Sequence, residues 1–305
     1  MPSRRSASRA STSSRAGRNK RVWVEAARPK TLVVGLTSVL VGTAAADDFV
    51  AWRFVCALIV GLSLQIAVNY ANDLFDAVRG VDSPARVGPR RAVASGLVDP
   101  KAMKIAVAIA VGVAMISGLA LAAAVGPEVL IPGALAILAA LAYSGGPKPY
   151  ASQGLGEVFV FLFFGVVATA GSQYVQDGVL HSLSVLASVP VGILAVTVLM
   201  ANNMRDIPTD AASGKRTLAV RLGDRHAREL FITLVWFAFA ALAPVVFAAR
   251  GGWPLLALAS VPLGVAATRT VAIARSPADL VPALVTAARL DLAFGVLLAG
   301  GLWLE

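Results

Sequence analysis

Cysteine, histidine and charge are all scarce in this chain. Among 305 residues there is one cysteine, Cys56, inside an apolar run, and there are two histidines, His181 and His226. A lone cysteine excludes a disulfide framework and makes a thiolate metal site very poor, and two histidines make a zinc site equally poor. Charged residues are 14% of the chain against 57% hydrophobic, and the mean hydropathy is +0.76. Those values lie far outside the range of a soluble globular domain. Acidic residues are the scarcer sign, 17 against 27 Lys and Arg, giving a net charge of +10 and a pI near 10.5. That balance does not point to nucleic acid, because the basic residues gather in the amino-terminal tail and between apolar runs, the pattern of membrane topology. The composition is that of a polytopic membrane protein.

Residues 1–21 are rich in Ser and Arg and lack acidic side chains. They read as part of a basic, disordered cytoplasmic arm over 1–27, near anionic lipid, with a transit peptide as the rival reading. The run at 31–46, ending in small residues, imitates a signal peptide, but the basic stretch before it is long and the same run serves as a spanning helix. Residues 28–305 form the membrane domain.

Runs able to cross about 30 Å of hydrocarbon fall near 30–46, 52–71, 103–124, 128–144, 155–174, 183–202, 229–248, 253–273 and 285–303. The expectation is an all-α membrane protein of about nine transmembrane helices. The first and fourth runs are marginal in length. Connections rich in Arg and Lys alternate with connections almost free of them. The basic ones, at 72–102, 145–154, 203–228 and 269–289, belong on the cytoplasmic side together with the amino terminus, and the carboxyl terminus then lies outside.

Two polar stretches interrupt this apolar chain, NYANDLFDAVRGVD at 69–82 and NNMRDIPTDAASGKRT at 202–217. Carboxylates at or near membrane depth are costly, and they mark a functional site by default. Both stretches fall on the cytoplasmic face. Asn72 and Asp76 are four residues apart, as are Asn202 and Asp206, which gives a weak internal repeat with a site between the halves. If the second helix continues through its polar end, Asn69, Asn72, Asp73 and Asp76 share one face. Pro208 means either that the later helix ends near Asp206 or that it kinks there.

Carboxylates on facing helices repel one another unless a cation lies between them. Hard oxygen ligands without His or Cys select Mg²⁺, which shares its remaining positions with water and phosphate. The clusters therefore look like a clamp for a diphosphate. Arg79, Arg91, Lys148, Arg205 and Lys215 lie beside them in sequence or in loops on the same side, where they could neutralise a leaving pyrophosphate, although topology alone also accounts for such residues. A solvated loop or a helix cap would explain a single aspartate but not two copies on one face.

The residues also carry a resemblance. NDLFDAVRGVD, and RDIPTD followed by GKRTLAVRLG, are similar to the two aspartate motifs of the UbiA superfamily of intramembrane prenyltransferases. RPKT at 28–31, VGPRRAVASG at 87–96, YSGGPKPY at 143–150 and GLGE at 154–157 resemble its MenA branch, which prenylates 1,4-dihydroxy-2-naphthoate. Two departures stand out: Gly80 occupies the place of a third carboxylate, with Asp82 as the nearest substitute, and Ala151 and Ser152 replace a Gly-Tyr pair.

The resemblance implies a helical bundle with a central cavity opening to the cytoplasmic side. It implies Mg²⁺ held by Asp73, Asp76 and Asp82 on one side and by Asp206 and Asp210 on the other. Substrate contacts would come from Asn69, Asn72, Arg79, Arg91, Lys148, Asn202, Arg205 and Lys215, and Tyr143 would support the cation or the ring. The implied partners are a polyprenyl diphosphate, the naphthoate and membrane lipid, with no nucleic acid. The rival readings are a sibling enzyme acting on 4-hydroxybenzoate or homogentisate, and a cation-coupled transporter, which would place its carboxylates at the midplane of broken helices.

Overall fold

The computed structural model describes residues 20–80, 91–249 and 251–305. Regular structure among them is entirely helical. Eight helices are long and apolar enough to cross a membrane: α2 (Ala51–Val78), α3 (Pro100–Val125), α4 (Pro127–Ser144), α5 (Gly156–Asp177), α6 (Ser182–Ala212), α7 (Leu218–Ala249), α8 (Trp253–Ile273) and α9 (Pro277–Trp303). A ninth, α1 (Pro29–Ala44), is apolar but has only 16 residues, about 24 Å at 1.5 Å per residue. The order and position of the helices follow the apolar runs, while several ends extend into polar sequence.

Those extensions have local causes. Helix α2 runs on to Val78, seven residues past the apolar run, so the first polar stretch is helical as far as its aspartates. It stops at Gly80, whose φ of 67° is the left-handed geometry that closes a helix and suits glycine. A carboxylate-bearing residue would be strained at this position. Helix α3 begins at Asp99, whose side chain accepts from the Lys101 amide at 2.7 Å, with Pro100 in the first turn where its missing N–H costs nothing. Helix α6 continues through both Pro190 and Pro208 to Ala212. Helix α7 starts at Leu218 rather than near 229, capped by Thr217, and is kinked at Gly223 (φ 73°). Residues 20–27, within the basic arm, are helical too, with Trp23 edge-on against Tyr70 of α2 at 5.6 Å and the Tyr70 hydroxyl donating to the Trp23 carbonyl.

Helix α6 is the axis of the bundle: 72% of its most apolar stretch is buried, against 17% for α4 at the periphery. It packs on α5, α7 and α9, while α1 lies against α9, α5 and α2. Glycines permit the closest approaches. A Cβ on Gly42 would fall 2.0 Å from the Thr169 carbonyl oxygen, and one on Gly165 would fall 2.6 Å from the Gly192 backbone. Helix α5 widens into π-helical turns over Phe161–Val167, a local distortion that recurs at functional sites. Within them the Phe164 carbonyl accepts from the Ser38 hydroxyl of α1. Helices α1 to α6 surround a cavity of about 530 Å³, apolar over most of its depth.

Candidate active site

One end of that cavity is polar. Arg28, Asn69, Asn72, Asn202 and Tyr143 line it there, brought from the start of α1 and from the ends of α2, α6 and α4. Arg28 has φ 53°, the one non-glycine residue in left-handed backbone among those described. The turn around it is held by a buried network: Asn69 Nδ2 donates to the Ala27 carbonyl at 2.8 Å and to Thr31 Oγ1 at 3.1 Å, Gln65 donates to Thr31, and Thr31 donates to the Arg28 carbonyl. Strained backbone persists where the surroundings over-determine it, and such positions cluster at active sites. Asn69 thus anchors a turn as well as facing the cavity.

The two polar stretches meet. Lys215, in the loop after α6, donates to Asp76 Oδ2 of α2 at 2.7 Å, and Arg91 donates to the same oxygen at 3.1 Å. Asp76 is 1% exposed, and its other oxygen, Oδ1, is buried without a hydrogen-bond partner among the described residues. Asp73, one face-neighbour away, accepts from the Ala92 and Val93 amides, both at 2.9 Å. Those amides open a compact turn over 91–98, so Asp73 ties the loop after α2 back onto the helix. Arg205 and Asp206 form a buried bidentate pair at 2.7 and 2.8 Å. Such forks are the strong, geometrically specific form of the contact. The Asp210 carbonyl accepts from the Ser213 hydroxyl and the Lys215 amide, which closes α6 and aims Lys215 at Asp76.

Other expected residues lie around this core. Arg79 donates to the Gly146 carbonyl at 2.7 Å, joining the end of α2 to the loop after α4. Lys148 is exposed in that loop. Tyr143 meets Tyr150 edge-on at 5.5 Å, and Tyr150 stacks on Phe159 at 4.0 Å while donating to the Ala139 carbonyl. Burial raises the Tyr150 phenol above its ordinary range, so it stays neutral. Asp82 lies outside the described residues. The sequence reading gave no role to Arg28, nor to Glu157, which is buried at the start of α5 and accepts from Asn203 at 2.8 Å. RPKT and GLGE were the only signals there.

Asp76 and Asp206 are paired with cations and Asp73 with backbone amides, and among the described residues no group of three or more His, Cys, Asp or Glu side chains is gathered as a metal site. Asp76 nonetheless suits a hard divalent ion. An ionised oxygen shut away from water with no donor is costly until a cation approaches it. Oδ1 is such an atom, and a carboxylate oxygen is a hard ligand.

Apolar helices around a cavity with a polar end, beside which buried aspartates pair with basic side chains, define a polytopic membrane protein with a polar site. Comparison with known proteins narrows this class. Residues 32–289 match the UbiA prenyltransferase family. The 1,4-dihydroxy-2-naphthoate octaprenyltransferase of Mycobacterium tuberculosis is 40% identical over 283 residues, covering 92% of this chain and 96% of the relative. Among solved structures, the apo form of a UbiA homologue from Aeropyrum pernix superposes with a TM-score of 0.67 at 18% identity, covering 90% and 97% of the two chains. A UbiA homologue from Archaeoglobus fulgidus bound to GPP and Mg²⁺ gives 0.62 at 15% identity, covering 91% and 99%. The chain belongs to the UbiA prenyltransferase family and is a membrane-embedded prenyltransferase.

Proposed function

We propose that this enzyme transfers a polyprenyl group from a polyprenyl diphosphate to 1,4-dihydroxy-2-naphthoate, releasing pyrophosphate and CO2 and giving demethylmenaquinone in menaquinone biosynthesis. The observation that carries the reading is the continuity of one cavity from an apolar interior to Asn72 and Asn202, beside Asp76, Lys215 and Arg91. A long hydrocarbon tail and a diphosphate head are accommodated together in such a space. The naphthoate acceptor comes from the relatives' names.

Mg²⁺ would be held by Asp76 and Asp73, with Asp82, on the α2 side and by Asp206 and Asp210 on the α6 side, where it supplies positive charge to the departing diphosphate oxygens. Lys215, Arg91, Arg205, Arg79 and Lys148 neutralise the rest of that charge. The allylic C–O bond breaks with its electron pair leaving on pyrophosphate. The carboxylated ring carbon of the naphthoate then forms the new C–C bond, and the pair from the broken C–CO2 bond restores aromaticity, so no general base is required. The apolar walls keep water from the allylic cation, and the Tyr143 ring stands at the polar end where its face can stabilise that charge. The polar end faces the cytoplasm, as does the amino terminus, and the carboxyl terminus lies outside; the basic residues Arg79, Arg205 and Lys215 near that end support this orientation.

A donor and acceptor panel on the purified protein tests the reading. Prenylated product with CO2 release from the naphthoate is the expected result. Transfer only to 4-hydroxybenzoate or homogentisate would overturn the acceptor assignment in favour of a sibling enzyme.

A further inference from the structure

The far end of the cavity is hollowed by three glycines that the fold itself does not need. Gly118 of α3, Gly133 of α4 and Gly171 of α5 all line the cavity, and a Cβ built on any of them would meet nothing within 4 Å. Each lies within about two turns of the helix end farthest from Asp76. Their backbones are ordinary right-handed helix, so none is required by a positive φ. They are not packing glycines either, in contrast with Gly42, Gly165 and Gly192, where a Cβ would strike a neighbouring helix. Glycine is the poorest helix former after proline. Three of them from three helices, converging on one cavity, give up helix propensity with no return except open volume.

That volume lies at the end of the path a tail would follow. On α2 the cavity is lined from Asn72 at the polar end to Ala57 at the far end, about 22 Å along the helix at 1.5 Å per residue. Beyond the glycines the space is bounded by Glu128 and Tyr174, whose side chains join α4 to α5 by a 2.6 Å hydrogen bond.

We propose that Gly118, Gly133 and Gly171 are specificity-determining residues: the chamber they open admits the distal units of a long prenyl tail and sets the preference of this enzyme for long-chain over short-chain allylic diphosphates. The proposal rests on the donor assignment above. A short tail occupies only the part of the cavity nearest Asp76, whereas a long one must turn or fill the chamber at the far end. Side chains placed there would compete with the long tail alone.

The test is a binding measurement that does not depend on the acceptor. The purified full chain in lipid nanodiscs is titrated, with Mg²⁺ present, with the non-reacting S-thiolodiphosphates of geranyl and octaprenyl alcohols. Gly133→Leu and Gly171→Leu should each lower the octaprenyl-to-geranyl affinity ratio at least about tenfold, because a side chain in a filled path excludes the occupant. Gly112→Leu is the control. It lies on α3, also meets open space, and is not part of the cavity wall, so the ratio should stay at the wild-type value. Should the leucine variants fail to fold, Gly118→Ala and Gly171→Ala add one methyl and improve the helix, and the ratio should fall in the same direction. A ratio unchanged in the folded variants, or shifted as much by Gly112→Leu, overturns the proposal and leaves the donor assignment standing. A wild-type chain that binds neither analogue overturns both.

Discussion

Asp76 provides the sharpest test of how the site is assembled. Its carboxylate joins α2 to Arg91 and to Lys215 beyond α6, and it is almost wholly buried. Replacing it with Ala leaves two cations without their shared acceptor, with side chains 6% and 16% exposed. Breaking a buried pair by removing one partner typically costs about 3–5 kcal/mol. The exposed fraction of Lys215 lets it turn toward water, which puts the expectation near the lower end, about 3 kcal/mol. The same substitution removes a ligand of the proposed diphosphate clamp, so turnover should fall by at least about a hundredfold, the scale of losing one electrostatic stabiliser of a developing anion. Stability and catalysis can be separated by a cycle with Lys215→Met. The double variant should be destabilised by less than the sum of the two single variants, with a coupling of about 1–3 kcal/mol, while remaining inactive. Thermal unfolding in detergent and a prenyl-transfer assay give the two readouts. Near-normal turnover in Asp76→Ala, or additivity within about 0.5 kcal/mol, would refute the reasoning.

The remaining predictions concern the parts around that contact. Asp73→Ala should loosen the 91–98 turn, seen as faster hydrogen exchange at the Ala92 and Val93 amides that it accepts from; unchanged exchange at both would show that the turn stands without it. Tyr143→Phe should retain most of the turnover and Tyr143→Ala should lose up to roughly thirtyfold, the scale of a desolvated cation–π contact of about 2 kcal/mol, and equal losses in the two variants would assign the effect to the hydroxyl instead. Chelation of divalent ions should abolish prenyl transfer, and Mg²⁺ should restore it, whereas full activity in chelator would exclude the metal from the reaction.

Much of the architecture was legible because a bilayer imposes a length on every spanning run. The apolar segments gave the order of the helices, and the spacing from Asn69 to Asp76 gave a shared helical face that the continuation of α2 to Val78 provides. The alternation of basic and charge-poor connections also placed both polar stretches at one end of the bundle, where Lys215 joins Asp76. Spacing along one helix says nothing of what a loop returns to it, however. The amides that Asp73 holds and the guanidinium against Asp76 come from residues 91–93, beyond a segment with no periodicity to read. For the same reason the pairings seen here, Asp76 and Asp206 with cations and Asp73 with amides, could not be read from spacing. Pro208 left two options for α6, an end or a kink, and the helix in fact carries on to Ala212. The left-handed backbone at Arg28 had no signature either, because the buried network that holds it is tertiary.

The sharing of Asp76 between Arg91 and Lys215 bears on how charge can enter this protein. A carboxylate oxygen that already holds two cations is a poor host for a third, and two cations already satisfied by a carboxylate are poor hosts for an anion. Oδ1 is still open to a metal ion, but a metal arriving alone would add a third cation beside one carboxylate, and a diphosphate arriving alone would find both cations engaged by it. A metal–diphosphate pair arriving together can exchange partners, its positive half taking the aspartate as its negative half takes the lysine and arginine, so that no charge is stranded in a low-dielectric interior. Under the proposed function, the contact would thus favour uptake of the two together over either alone.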